Sequence, residues 1–132
     1  MEKIIAYTDG ACKGNPGPAG IGVVIIADKI YKYSQYLGDQ KTNNIAELSA
    51  ILLLLQIIND KTSQVEVYTD SNYVIGVLQK KHNVVKNIDL IDQIKEELKK
   101  FKNIKFFKVK AHSTNYYNNL ADQLAVNAIE DI

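Results

Sequence analysis

The sequence predicts an α/β fold: a five-stranded mixed sheet, an antiparallel meander continued by parallel strands, with helices flanking it. Three observations predict it. Strand-length apolar runs alternate with helical periodicity over all 132 residues, without linkers or low-complexity segments. The first three runs are joined by short turns, which suits antiparallel pairing. The later runs are separated by helices and must pair parallel through right-handed crossovers. Finally, the tripeptide Tyr-Thr-Asp closes two of the runs, at Asp9 and again at Asp70.

Each element follows from its own pattern. "KIIAYTD" and "GIGVVIIA" are apolar runs separated by a Gly/Pro loop, and "IYKYSQYLG" alternates as a third strand. "NNIAELSAILLLLQIIND" is apolar almost all round, as a buried helix must be. "QVEVYTD" is the fourth strand and "SNYVIGVLQKK" a short helix; "NIDLIDQIKEELKKF" is plainly amphipathic. "NIKFFKVKAH" supplies the fifth strand and "NNLADQLAVNAIE" the closing helix.

At 46% hydrophobic, the chain is expected to form one domain, residues 1–132, with a sizeable core. No apolar run approaches the roughly 20 residues of a membrane span. The N-terminus "MEKIIAYTDG" lacks the pattern of a secretory signal, so the expected location is cytoplasmic. Cys12 is the single cysteine, which excludes an internal disulfide; a small semi-buried residue is the simpler reading over a catalytic thiol. Net charge is +1, but its distribution is uneven. Residues 80–110 hold ten lysines against Asp89, Asp92, Glu96 and Glu97, and there is no arginine anywhere. That run is either a solvated helix and strand face or a phosphate-facing surface.

If the first and fourth strands are parallel neighbours, both Tyr-Thr-Asp segments end at one sheet edge. A spacing of about 4.8 Å then lets Asp9 and Asp70 share a ligand. Paired carboxylates repel, and a hard divalent cation such as Mg²⁺ relieves that. Separately, Asp9-Gly10 reads as a turn and Asp70 as a cap for the helix at Ser71. Glu47 interrupts the apolar helix, where a charge is costly unless paired or metal-bound. Asp122 lies near the start of the last helix, where a first-turn dipole partner is the duller reading.

The motifs "YTDGACKGNPGPAGIGVV", "TNNIAELSAI", "YTDSNYV", "VKNIDL" and "VKAHSTNYYNNLAD", in that order, resemble type 1 ribonuclease H over essentially the whole chain. The resemblance implies a ribonuclease H-like fold and a catalytic domain that hydrolyses the RNA strand of RNA–DNA hybrids with two Mg²⁺ ions, Mn²⁺ being a possible substitute. It also implies 3′-hydroxyl and 5′-phosphate ends. The family's acids fall on Asp9, Glu47, Asp70 and Asp122: Asp9 bridging both ions, Glu47 and Asp70 serving the leaving-group ion, Asp122 the ion that activates water. His112 matches the family's loop histidine and would assist proton movement or product release. His82 has no match.

The same resemblance assigns the substrate contacts. Asn15, Asn43, Asn44 and Asn72 match positions that face the minor groove, where the 2′-hydroxyl marks RNA. Asn43 and Asn44 are also candidate helix caps. Thr42 and Asn87 match a phosphate pocket for the DNA strand, and Asn118 an amide near the scissile phosphate, with Asn119 beside it. The Gly/Pro loop would let main chain approach nucleic acid closely. Two departures bear on affinity. Gln40 stands where the family often has Arg, and its basic insertion shrinks here to "QKKHNVVKNIDL", so binding is expected to lean on Lys80, Lys81 and Lys86. A monomer without a preceding hybrid-binding domain is expected, and the initial Met favours a free-standing enzyme over a reverse-transcriptase domain. A catalytically dead binding module and a related resolvase or transposase nuclease are the alternatives; all four acids argue against the first, "TNN" and "VKNIDL" against the second.

Overall fold

The computed structural model describes residues 2–79, 86–110 and 115–131. Alternation decides the central strand. In β1 (Lys3–Cys12), Ile4 and Ala6 point to one face of the sheet and Tyr7 to the other, and all three are buried, as a strand covered on both sides requires. β2 (Gly17–Ile26) and β3 (Ile30–Lys41) complete an antiparallel meander, and β3 is an edge strand. β4 (Gln64–Thr69) pairs parallel with β1, and β5 (Asn103–Lys108) parallel with β4. The strand order β3-β2-β1-β4-β5 is the expected five-stranded mixed sheet.

Among the described residues, four helices cover it: α1 (Asn43–Ile57), α2 (Asn72–Leu78), α3 (Ile88–Leu98) and α4 (Tyr116–Glu130). One face buries Ile4, Ala6, Val23, Val65 and Val67 against Leu48, Ile51, Leu54 and Leu55 of α1, with Ile91 and Ile94 of α3 behind them. Fully burying each such aliphatic side chain is worth about 1.5–3 kcal/mol, so this layer is the main source of stability. On the opposite face α4 packs on β1, β2 and β3. Tyr7, Val24 and Ala121 form a smaller buried cluster there.

The structure departs from the sequence reading in two places that matter for function. β1 does not stop at Asp9 but runs on to Cys12, because the small residues Gly10, Ala11 and Cys12 continue pairing with β2 as far as Cys12↔Ala19. Only the parallel partner β4 ends, at Thr69. Helix α1 is capped by Thr42, whose Oγ1 accepts from the amide of Ile45 at 3.2 Å, so Asn43 and Asn44 lie inside the first turn. Cys12 is half-buried as expected, its thiol directed at the carbonyl of Lys41 at 3.1 Å. Among the described residues, no helix is long and apolar enough to cross a membrane.

The far end of α1 is closed by a lysine. Lys61 Nζ donates to the carbonyls of Leu55 and Ile58 at 2.7 and 2.8 Å and sits 4.6 Å from the centre of the Phe101 ring. A cation at a helix C-terminus satisfies orphan carbonyls and complements the helix dipole. Lys61→Met keeps the apolar stem but removes the donors. It is expected to lower stability by about 1–3 kcal/mol, read as a melting-temperature drop of several degrees. An unchanged midpoint would show that the cap contributes nothing.

Candidate active site

The two Tyr-Thr-Asp segments meet by strand register. β1 pairs with β4 from Lys3↔Gln64 to Tyr7↔Tyr68. Carried two residues further, the same offset sets Asp9 beside Asp70. Asp70 follows β4 directly, and it does not cap α2: Ser71 does, its side chain accepting from the amide of Val74 at 3.1 Å. Thr69 Oγ1 in turn accepts from the Ser71 amide at 3.1 Å, which locks the turn carrying Asp70.

Glu47 arrives from α1 through a notch in β1. A β-carbon on Gly10 would lie 2.5 Å from the carbonyl carbon of Ala46 and 2.6 Å from the amide nitrogen of Glu47, a collision with backbone that cannot yield cheaply. Without it, α1 lies against the strand. The Gly10 amide then donates to both Asp9 Oδ1 at 3.0 Å and Glu47 Oε1 at 2.8 Å. One N–H thereby tethers two carboxylates. Asp9, Glu47 and Asp70 each offer an oxygen within 4.8 Å of the others.

Asp122 arrives from the other face by a second notch. Asp9 pairs with Gly22 of β2. A β-carbon on Gly22 would overlap the carbonyl oxygen of Ala121 and lie 2.8 Å from the amide of Ala125. Its absence lets α4 settle on the sheet with Asp122 in hydrogen-bonding reach of Asp9. Asp122 is exposed and sits in the second turn of α4, beyond the first turn where the dipole reading would apply. The sequence reading did not single out Gly10 and Gly22 for this role. The signal was there in "AGIGVV", since glycine inside a strand often marks close backbone approach.

Gathering these groups is electrostatically unfavourable. Burial first, then the charges of Glu47, Asp70 and Asp122, push the Asp9 carboxyl up to about 10. Burial and the charge of Asp70 push Glu47 up to about 8, against the lowering effect of the Gly10 amide and its hydrogen bond with Asp9. Among the described residues, no ion pair joins these acids to a lysine. A cluster of hard carboxylate oxygens without its own cation has the donor set that Mg²⁺ or Mn²⁺ takes.

The amide-bearing residues divide. Asn15 is exposed, and its Oδ1 accepts from the amide of Asn43 at 3.1 Å, tying the Gly/Pro loop to the start of α1. Thr42, Asn43 and Asn44 thus lie beside that loop, and Asn72 opens α2 two residues after Asp70. Asn87, at φ 58°, donates through Nδ2 to the Tyr73 hydroxyl at 3.0 Å, and lines a depression with Ile45 and Ile88. This brings Asn87 to the beginning of α1, near Thr42. Lys86 is exposed. Asn118 is 2% exposed and its Oδ1 is buried with no hydrogen-bond partner among the described residues, so it points inward. Lys80, Lys81, His82 and His112 lie outside the described residues.

The raised carboxyls set a pH dependence. A protonated carboxyl favoured in the folded state stabilises fully below its unfolded value near 4, and that contribution is lost as pH rises through the folded value. Without metal, the melting temperature is expected to fall between pH 5 and pH 9. The rise on adding 5 mM MgCl₂ should grow over the same window, because the cation competes with the protons. Scanning thermal unfolding across pH with MgCl₂ or EDTA measures both, and parallel flat curves would contradict the assigned protonation.

The chain matches the sequence profile described as RNase H over residues 1–130. A curated ribonuclease H from Caldicellulosiruptor saccharolyticus is 38% identical, with 100% of this chain and 99% of the relative covered. One from Clostridium botulinum is 39% identical, covering 99% and 98%. Among solved structures, RNase H1 from Halobacterium salinarum superposes with a TM-score of 0.84 at 30% identity, covering 98% of this chain and 99% of that one. LC11-RNase H1 in complex with an RNA/DNA hybrid gives 0.83 at 34% identity, with 97% of each chain covered. Agreement along nearly the full length, in sequence and in backbone, assigns this chain to the ribonuclease H family of endoribonucleases.

Proposed function

We propose that the chain, as one catalytic domain over residues 1–132, hydrolyses the RNA strand of RNA–DNA hybrids with two divalent cations, leaving 3′-hydroxyl and 5′-phosphate ends. The observation that carries this reading is the convergence of Asp9, Glu47 and Asp70 within 4.8 Å, with Asp122 in reach of Asp9. The hybrid held by the LC11 relative supports the substrate.

Asp9 would hold both ions, Glu47 and Asp70 the one on the leaving-group side, and Asp122 the one on the water side. When bound, such ions make water nucleophilic at neutral pH and offset charge on the departing oxygen. The protein's own part is placement. The Gly10 amide fixes Asp9 and Glu47 relative to each other before substrate arrives, so little reorganisation remains at reaction. Asp122 is the exposed member, facing solvent from which water must come. His112 is assigned to proton movement on that side.

Thr42 and Asn87 would seat a phosphate of the DNA strand, while Asn15, Asn43, Asn44 and Asn72 follow the minor groove with its 2′-hydroxyls. Asn118 would shift from its buried position to serve the scissile phosphate. Lys80, Lys81 and Lys86 supply the charge that the absent arginines do not, as point contacts rather than bidentate ones. The working form is assigned as a cytoplasmic monomer with Mg²⁺, Mn²⁺ substituting.

Asp9→Asn should abolish Mg²⁺-dependent cleavage of a labelled hybrid while its metal-free melting temperature equals or exceeds the parent's, because one repelling carboxyl is gone. Appreciable cleavage by a clean preparation would remove the metal assignment. His112→Ala should slow turnover by about 10–100-fold without abolishing it; an unchanged rate across pH 6–9 would return it to a bystander. Joint replacement of Lys80, Lys81 and Lys86 by Gln should raise KM and flatten the salt dependence of hybrid binding. Binding equal to the parent at every salt concentration would reroute the substrate path.

A further inference from the structure

Asn87 stands at the start of α3 in a conformation that does not cap it. An Asn in that place ordinarily holds extended backbone and accepts, through its side-chain oxygen, from the second or third amide of the helix. Asn87 instead has φ 58° and ψ 30°, in the left-handed region that Asn tolerates, and makes no side-chain capping bond. Its side chain is turned to α2, where Nδ2 donates to the Tyr73 hydroxyl at 3.0 Å. The Ile91 amide is the one that donates to the Asn87 carbonyl, at 2.9 Å, so the amides of Ile88, Asp89 and Leu90 precede the helical ladder. Those three residues line the depression with Ile45 and Asn87.

The Tyr73 ring and the Tyr73 hydroxyl do different work. The ring is half-buried and packs against the core layer under α1, a task that phenylalanine would perform as well. The hydroxyl reaches Asn87. Helix α2, which carries it, is itself fixed to the carboxylate end: the Ser71 amide donates to Thr69 Oγ1 and the Val74 amide to Ser71 Oγ, with Asp70 held between. Helix α3 packs on α1. The bond from Asn87 to Tyr73 therefore relates the start of α3 to the turn that bears Asp70. Charge around the depression is mixed. Lys86 precedes Asn87 and Lys41 precedes Thr42, while Asp89 opposes them from the first turn of α3. With charges so balanced, a phosphate seat here depends on directed N–H groups.

We propose that Tyr73 is the positioning residue of the DNA-strand phosphate seat. Its hydroxyl takes one proton of the Asn87 amide and keeps that side chain off the α3 cap. The second Nδ2 proton then faces a phosphate oxygen beside Thr42, and the first-turn amides of α3 stay open to it. Without the hydroxyl, Asn87 is released to compete with the phosphate for those amides. This role rests on the phosphate seat proposed above at Thr42 and Asn87.

Tyr73→Phe keeps the ring and removes the hydroxyl alone. Affinity is read by fluorescence anisotropy in EDTA, with a short labelled hybrid and a series in which one uncharged methylphosphonate replaces a phosphate at successive positions of the DNA strand. The parent should lose affinity at a defined position of the series. Tyr73→Phe should bind the unmodified hybrid about three- to tenfold more weakly, the worth of one neutral hydrogen bond, and should lose the sensitivity at that position. Asn87→Ala should behave alike, and adding Tyr73→Phe to it should change nothing further, since the two residues act as one unit. In turnover, Tyr73→Phe should raise KM with kcat kept, and its melting temperature should stay within a few degrees of the parent's. Parent-like affinity in Tyr73→Phe, additive losses in the double variant, or a lowered melting temperature with KM unchanged would each overturn the proposal. A sensitive position that Asn87→Ala erases and Tyr73→Phe keeps would leave the seat standing and remove the role of Tyr73. No sensitive position in the parent would remove the seat, and Tyr73 with it.

Discussion

Everything at the carboxylate end of the sheet depends on how closely two helices approach it from opposite sides. A helix that must clear β-carbons on the strand beneath it stands off from the sheet, and the short carboxylates of Glu47 and Asp122 would be held away from Asp9. The approach is closer because β1 and β2 lack β-carbons at Gly10 and Gly22. Gly22 is itself the register partner of Asp9. Strand pairing therefore selects which part of α4 lies over the site, and the notch in β1 selects which part of α1 does. The constraint is steric, and the electrostatics follow from it.

Once the acids are gathered, the charge map of the whole chain acquires meaning. A net charge of +1 conceals a lysine-rich stretch from 80 to 110 and an acidic point at the sheet edge. A polyanion is attracted by the first and repelled by the second, so a phosphate backbone settles on the carboxylates only when cations accompany it. Phosphate-mediated affinity and site occupancy are thus separable quantities in this architecture. The absence of arginine sharpens the distinction, since lysines hold phosphates by charge rather than by directional pairs.

Much of this was legible in the residues. The repeated Tyr-Thr-Asp located both strand-borne acids, and the unpaired Glu47 inside "IAELSAILLLL" announced itself by cost alone. Among the described residues, each helix and strand has its core in the segment whose pattern predicts it, while several ends differ. What escaped depends on tertiary proximity. Continuation of β1 past Asp9 requires knowing that β2, not β4, remains beside it. Asn43 and Asn44 read as caps of α1 until Thr42 Oγ1 is seen accepting from the Ile45 amide. The stacking of Tyr7 on Tyr68 and of Tyr68 on Phe107 is invisible in sequence, because only the parallel register of β1, β4 and β5 brings these distant residues side by side.

The tension stored among the four acids has an evolutionary face. Folding free energy does not defend this cluster: burial and mutual charge both disfavour its ionised form, and the tether from Gly10 offsets that only in part. The hydrophobic layer under α1 is different, since any large-to-small change there damages the fold itself. A copy of this gene released from selection on catalysis would therefore shed its carboxylates early while keeping its core. Acids that the fold itself disfavours are kept only by selection for something other than stability, which makes their joint presence in a drifting lineage a record of continued use.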